Sequence, residues 1–437
     1  MNVEKMLKRT FWIVGVVLLL LGTVGWYVRL SSGHLDANYG SIVTWGLWVA
    51  AYVFFSSMSA GLFIMAALHY VFGVERLRPV ARPALFGAFV CLVMALLFIW
   101  VDLGKMSRVI NVFAYANFRS PMAWMIWLYT AYMLLLVAIL WLSVRRDLAL
   151  RADSTDTRAR FSRLLTLGAR DVSADSDARD RKLVRRLSVV ALPIALIFPG
   201  GVGALFAVVG ARPAWNSGLT PLLFVVSGLA SGAAALLFFS AIFQDGIRQW
   251  SLTVRLLSQM LIGLLVLDVM FQASEWIVGL TSSAPAHADA LGLIVWGPYW
   301  PVFWIWQLGL GIIIPLILLL RARYHTSVAA VAAAGFLVAF GLFGLRLNIV
   351  IPALATEEVV GLGKAIASKR LQVSYIPSLM EWLVGAGIIG LGLLMFGLGD
   401  RYLPADPLTA SGSERPPTLG SGDSSTTATS KDSHVHI

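Results

Sequence analysis

Of the 437 residues, 58% are hydrophobic and 13% charged, and several apolar runs exceed the roughly dozen residues usual in a soluble core helix. That composition excludes an ordinary soluble domain and predicts a polytopic membrane protein. The net charge of +11 does not point to nucleic acid, because most Lys and Arg sit in short loops between apolar runs, where they orient a membrane protein.

The first apolar run, 11–30, follows "MNVEKMLKR". Its length, and the lack of a small-residue cleavage site in "RLSSGHLDANYG", favour a membrane helix over a signal peptide. Nine more spans are predicted at 45–71, 82–101, 121–144, 188–210, 219–243, 253–281, 298–320, 327–346 and 376–399. Ten spans put both termini on one side. Of 34 Lys and Arg, 25 fall on that side, so the positive-inside rule predicts cytoplasmic termini. Residues 1–400 are thus expected to be one integral membrane helical domain. Within it, 145–187 is a charged loop expected to lie on the cytoplasmic surface along anionic lipid. Residues 401–437, rich in Ser, Thr, Gly and Pro, cannot bury a core and are expected to form a disordered cytoplasmic tail. The closing "HVHI" has too few ligands for a metal site.

The fold class is therefore all-α, with an internal repeat. "SSMSAGLFIMAALHYVF" (56–72) and "GLASGAAALLFFSAIFQ" (228–244) share a cluster of small residues before an apolar run, and "SPMAWMIW" (120–127) resembles "WPVFWIWQ" (300–307). Both pairs fit spans 2–5 and 6–9 as two parallel four-helix units flanked by spans 1 and 10. Close helix packing at small residues would account for the same motifs without a repeat.

Charge then marks candidate sites. The third span ends in "FIWVDLGKMSRV", bringing Asp102, Lys105 and Arg108 together at its outer end. The seventh carries Asp268, Gln272 and Glu275, spaced i, i+4, i+7 on one helix face. An ionisable group in the bilayer costs about 2.5 to 3.5 kcal/mol on insertion scales, so such residues usually face the bundle interior and serve a pathway or a pair. Two readings stand side by side: a proton ladder through Asp268, Gln272 and Glu275, or structural ion pairs drawn from Glu275, Arg346 and Glu381. Asp102, Lys105, Arg108, Glu275, Gln307, Arg346 and Glu381 fall in the outer half of their spans, with Trp45, Tyr52, Trp124 and Trp127 as aromatic neighbours. Trp45 and Trp124 individually fit an interfacial belt. The concentration of ionisable groups suggests a cavity that holds a polar head with an apolar tail.

Redox groups of the chain's own find no ligands in the sequence. A bis-histidine haem needs paired intramembrane histidines, and only His69 falls in a span; an iron–sulfur cluster needs about four cysteines, and Cys91 stands alone. No haem and no cluster are expected in this chain. Phosphate-loop, dinucleotide and nucleophile-elbow motifs are also missing from the sequence.

Four stretches carry a resemblance: "SIVTWGLWVAAYVFFSSMSAG" (41–61), "VDLGKMSRVINVFAYANFRSPMAWMIWLYTAY" (101–132), "RLNIVIP" (346–352) and "YIPSLMEWLVGAGIIGLG" (375–392). In combination they resemble the NrfD-like, or polysulfide reductase membrane-subunit, family over about residues 40–400. The resemblance implies a quinone-binding subunit (menaquinone or ubiquinone) of the bacterial inner membrane. Its implied partners are a ferredoxin-like iron–sulfur protein and a catalytic subunit of the molybdopterin type, without which it would not be catalytic. It also implies a quinone site at Asp102 and Arg108, with Lys105, Trp45 and Trp124 nearby. Some members carry a histidine on the second span where this chain has Tyr52, whose hydroxyl can donate a hydrogen bond to the quinone. The expected mechanism delivers two electrons to the partner near the outer face, with protons accepted by Asp102, which Arg108 or Lys105 would hold ionised. The alternatives are a proton-coupled secondary transporter and a purely structural anchor; continuous helices and carboxylates placed toward one face weigh against the transporter.

Overall fold

The computed structural model describes residues 3–152, 159–169, 171–243, 251–282, 285–321, 327–357, 361, 371 and 373–403. Among them ten helices are long and apolar enough to cross a membrane, and the chain is a multi-pass membrane protein. They are α1 (Val3–Ser32), α2 (Leu47–Tyr70), α3 (Arg78–Asp102), α4 (Pro121–Ala152), α5 (Ala174–Ala207), α6 (Thr220–Phe243), α7 (Ser251–Thr281), α8 (Val302–Leu320), α9 (Val328–Leu354) and α10 (Leu379–Tyr402). From residue 404 onward the predicted tail lies outside the described residues.

Helices α2 and α6 form the centre. Their apolar windows are 83% and 72% buried inside the protein, against 22% for α1. They cross where the two small-residue motifs meet: a Cβ on Gly61 would run into the Gly228 carbonyl, and one on Gly232 into the Gly61 backbone. Lipid gives no hydrophobic drive for helices to associate, so close backbone approach and dispersion must supply it. Around this axis α3 and α5 pack on α2, α5 and α9 on α6, α4 on α5, and α8 on α9. Helices α1 and α10 pair antiparallel through Gly15 against Leu394, Gly22 against Gly387 and Gly25 against Val384. Residues 3 and 403 therefore share one face; the opposite one is termed the distal face below.

The spans end later than hydropathy predicts on the face of the chain ends. Helix α4 continues to Ala152 and α5 starts at Ala174, so much of the expected 145–187 loop is helix. The extension is held by ion pairs: Arg82 with Asp147 at 2.6 Å, Arg145 with Asp180 at 2.6 Å and Arg146 with Asp177 at 3.4 Å. A hydropathy scan stops at the first cluster of charges, whereas the backbone helix continues where side chains pair. A second departure is α8, whose first part, Val302–Ile313, is wound as a π-helix and not as the continuous α-helix expected. Such windings concentrate at functional sites.

Candidate functional site

At the distal end, Asp102 is the last residue of α3. Its carboxylate Oδ1 accepts a hydrogen bond from the Tyr39 hydroxyl at 3.1 Å. Arg29, in the last turn of α1 and 3% exposed, donates Nε to the Val101 carbonyl at 2.9 Å and Nη2 to the Leu103 carbonyl at 2.8 Å. It thereby caps carbonyls that the end of α3 leaves unbonded, at the pole where a cation is electrostatically favoured. The same Nη2 lies 3.0 Å from His34 Nε2. Arginine has no acceptor, so that nitrogen must carry the lone pair and the ring is neutral. Burial first, then the neighbouring Arg29 charge, lowers the His34 pKa from its ordinary value. Burial and then the Asp102 charge raise that of Tyr39, which stays protonated as a donor.

The cluster is tied to α2 and α10. Trp48 packs 6.0 Å from both the His34 and Tyr39 rings, and its indole Nε1 donates to the Glu381 carbonyl at 3.0 Å. Ser378 and Glu381 open α10 as a Ser-x-x-Glu start, and Ser378 Oγ accepts from the Glu381 N–H at 3.2 Å. The Glu381 carboxylate, at 0% exposure, accepts from the Asn38 N–H at 2.8 Å and from the Tyr375 hydroxyl. Among the described residues no cation stands within 4.0 Å of it, so Glu381 clamps the 33–46 segment through hydrogen bonds and not as half of an ion pair.

Asp102 therefore has a different cation from the one expected. Lys105 and Arg108 have exposed side chains on the loop after α3, and the nearby charge is Arg29. A chain that turns outward immediately after a helix carries its next residues into water, while Arg29 reaches Asp102 from another helix. Tyr52, one turn inward from Trp48, bonds to the Tyr129 hydroxyl of α4 at 2.7 Å, and no hydrogen bond joins it to Asp102. Trp45 stacks on Trp215 at 5.7 Å and meets Phe206 edge-on. Trp124 is exposed beside Phe118, as a belt residue would be.

The ladder on α7 is joined in part. Gln272 Nε2 donates to Asp268 Oδ2 at 2.5 Å, Gln307 Nε2 to Gln272 Oε1 at 2.6 Å, and Asn348 Nδ2 to Gln307 Oε1 at 2.7 Å. All three donors run in one direction, ending on the fully buried Asp268. Glu275 is not on this chain; it accepts from Ser217 Oγ. The expected Glu275–Arg346 pair does not form. Arg346 donates to Ser227 Oγ at 2.5 Å, stacks 4.0 Å from the Phe224 ring and has Asp268 as its charge neighbour. Helix α9 runs so that Arg346 faces α6 at the depth of Asp268, whereas Glu275 sits nearly two turns nearer the distal face.

Glu275 opens instead onto a cleft enclosing ≈ 710 Å³, solvent included, between α6, α7, α8, α9 and the short helix Pro285–Val295. His287 of that helix is buried against Gly279, and its pKa is lowered by burial against an opposing effect of Glu275. Sequence reasoning missed Arg29, His34, Tyr39, Tyr129, His287 and Asn348. An arginine in the last turn of an apolar helix was itself a signal, since an intramembrane cation requires a partner.

Residues 36–358 match the family described as polysulphide reductase, NrfD. The chain is 33% identical to a selenate reductase subunit of Mesobacillus selenatarsenatis over 407 residues, covering 91% of this chain and 95% of that protein. It is 31% identical to a putative dimethyl sulfoxide reductase membrane subunit of Halobacterium salinarum, over 89% of each chain. The Hdr-like menaquinol oxidoreductase integral membrane subunit of Archaeoglobus fulgidus is 27% identical over 90% of this chain and 93% of its own.

Proposed function

The chain belongs to the polysulphide reductase NrfD family, and from that premise we propose that it is the quinone-reactive membrane subunit of a respiratory oxidoreductase complex. The observation that carries the proposal is the half-buried Asp102, hydrogen-bonded by Tyr39 and flanked by Arg29 and neutral His34 at the distal face. The names of the relatives, two reductase subunits and a menaquinol oxidoreductase subunit, support this class of complex and of substrate.

A quinol, menaquinol or ubiquinol, gives up two electrons and two protons when oxidised. Asp102 takes the two protons in turn, passing the first to the distal surface before it accepts the second, since the one acceptor nitrogen of His34 is engaged by Arg29. Arg29 keeps Asp102 a carboxylate before each transfer, and Tyr39 orients it. The head sits between this cluster and the Tyr52–Tyr129 pair, in which one hydroxyl donates to the other and the second is left to donate to a quinone oxygen. The electrons pass to a ferredoxin-like iron–sulfur subunit docked at the distal face, where Lys105 and Arg108 are exposed, and from there to a catalytic subunit of the molybdopterin type. With the chain ends in the cytoplasm of a bacterial inner membrane, the distal face is the outer one. In the half of the bundle built from α6 to α9, Asp268 is the charge neighbour of Arg346 and accepts from Gln272. Proton exchange through that half belongs to Glu275 at the cleft, since the intervening Gln272, Gln307 and Asn348 do not titrate.

Turnover of the assembled complex tests the proposal when driven by quinol and, separately, by a soluble artificial donor that reduces the catalytic subunit directly. Loss of this chain should abolish quinol-driven turnover and leave dye-driven turnover in place. Equal loss of both would make the chain a structural anchor.

A further inference from the structure

The cleft between α6, α7, α8 and α9 has no part in that reaction at Asp102, yet it is built like a binding site. Part of its wall is aromatic. Trp276 and Phe303 stack at 4.8 Å with planes 24° apart, and Trp215 also lines the space. The rest of the lining is largely aliphatic, with Leu223, Ile294, Leu345 and Ile349, interrupted by a few polar groups. Each amide of Gln272, Gln307 and Asn348 carries two N–H donors and spends one along the chain to Asp268, which leaves a second on each. Glu275 and the buried His287 supply acceptors; one Glu275 oxygen is used by Ser217. The π-helical start of α8 carries both Phe303 and Gln307 into the lining. An unusual winding at this point is costly in the absence of a role and is characteristic of ligand sites.

A mostly apolar, partly aromatic lining with donors and acceptors converging on one space fits an apolar ring that carries oxygens. A phosphate or carboxylate head fits poorly, because the lining holds a carboxylate and no Lys or Arg. We infer that this cleft is a second binding site in the same chain for a quinone or quinol ring, separate from the one at Asp102. The amide N–H groups hold the carbonyl of the oxidised ring, and Glu275 and His287 accept the hydroxyl of the reduced one. The inference rests on the reading that the chain meets quinol at all, so its test reports on each site separately.

The purified complex in nanodiscs is irradiated with an azido-substituted short-chain quinone, and the labelled positions are mapped. Two sets are expected, one on α2 to α4 near Asp102 and one between Gln272 and Gln307. Trp276→Ala should lower the second by about tenfold and leave the first unchanged, as loss of a stacking wall would. Glu275→Gln should leave labelling by the oxidised probe intact and weaken competition by the reduced form about tenfold, since only the quinol needs an acceptor there. Labelling near Asp102 alone would overturn the inference while sparing the primary reading. Labelling at the cleft alone would sustain the inference and overturn the placement of quinol at Asp102; labelling at neither overturns both. Cleft labelling that survives both substitutions would mark contact from bulk lipid and likewise overturn it.

Discussion

His34 follows the last turn of α1 with its Nε2 committed to Arg29 at 3.0 Å, an arrangement that only the neutral ring permits. The folded pKa is lowered by burial and then by Arg29. As pH falls through the ordinary value of 6.5, the unfolded chain binds a proton before the folded one does. Stability from this group is therefore complete above 6.5 and declines below it, toward the lowered folded value. The melting temperature of the solubilised complex should fall on acidification through that window, and His34→Asn, which keeps an acceptor but does not titrate, should flatten the fall. An unchanged slope in the variant would remove His34 from the cluster's charge balance. None of this could be read along the chain: Asp102 was legible as a charge at the end of an apolar run, but its partners Arg29 and Tyr39 come from a distant helix and the segment after it.

Helix crossings and buried charges set the energetics at the next scale. Gly61 of α2 meets the backbone of α6, so Gly61→Leu must separate the two central helices, with an expected loss of about 1 to 3 kcal/mol or failure to assemble. Gly263 of α7 has open space where a Cβ would be, and Gly263→Leu should be silent in the same thermal melt. The buried charges of α7 and α9 give a second contrast. Asp268→Asn removes the carboxylate that is the charge neighbour of the buried Arg346, though the two form no ion pair within 4.0 Å, and should lower the melting temperature. Glu275→Gln should leave stability nearly unchanged, because its partner is Ser217. If the two variants melted alike, the assignment of Arg346 to Asp268 would be wrong. The ten spans were legible because runs of about 20 consecutive apolar residues are rare outside membrane helices. Their charged extensions were not, since hydropathy is blind to ion pairs that form between helices. The π-helical stretch of α8 leaves no periodic signal in a run whose one polar side chain is Gln307. That the units α2–α5 and α6–α9 are repeats is a proposal; the fold brings their small-residue motifs together at one crossing.

At the scale of the whole molecule, two polar centres share the distal face: the Asp102 cluster, clamped by α1, α2 and α10, and the cleft of α6 to α9. A membrane subunit that passes electrons outward must hold its quinol near the surface where the partner docks and must also place a base there. The most direct measurement is the Asp102→Asn variant of the assembled complex, assayed with quinol and with a soluble artificial donor. Asparagine keeps the size of the side chain and an acceptor for Tyr39 but cannot take a proton. Quinol-driven turnover should fall by about 10² to 10⁴, the span usual for a lost general base, with dye-driven turnover and assembly unchanged. Quinol turnover equal to that of the unaltered complex, at normal assembly, would contradict the assignment and leave Asp102 a packing residue.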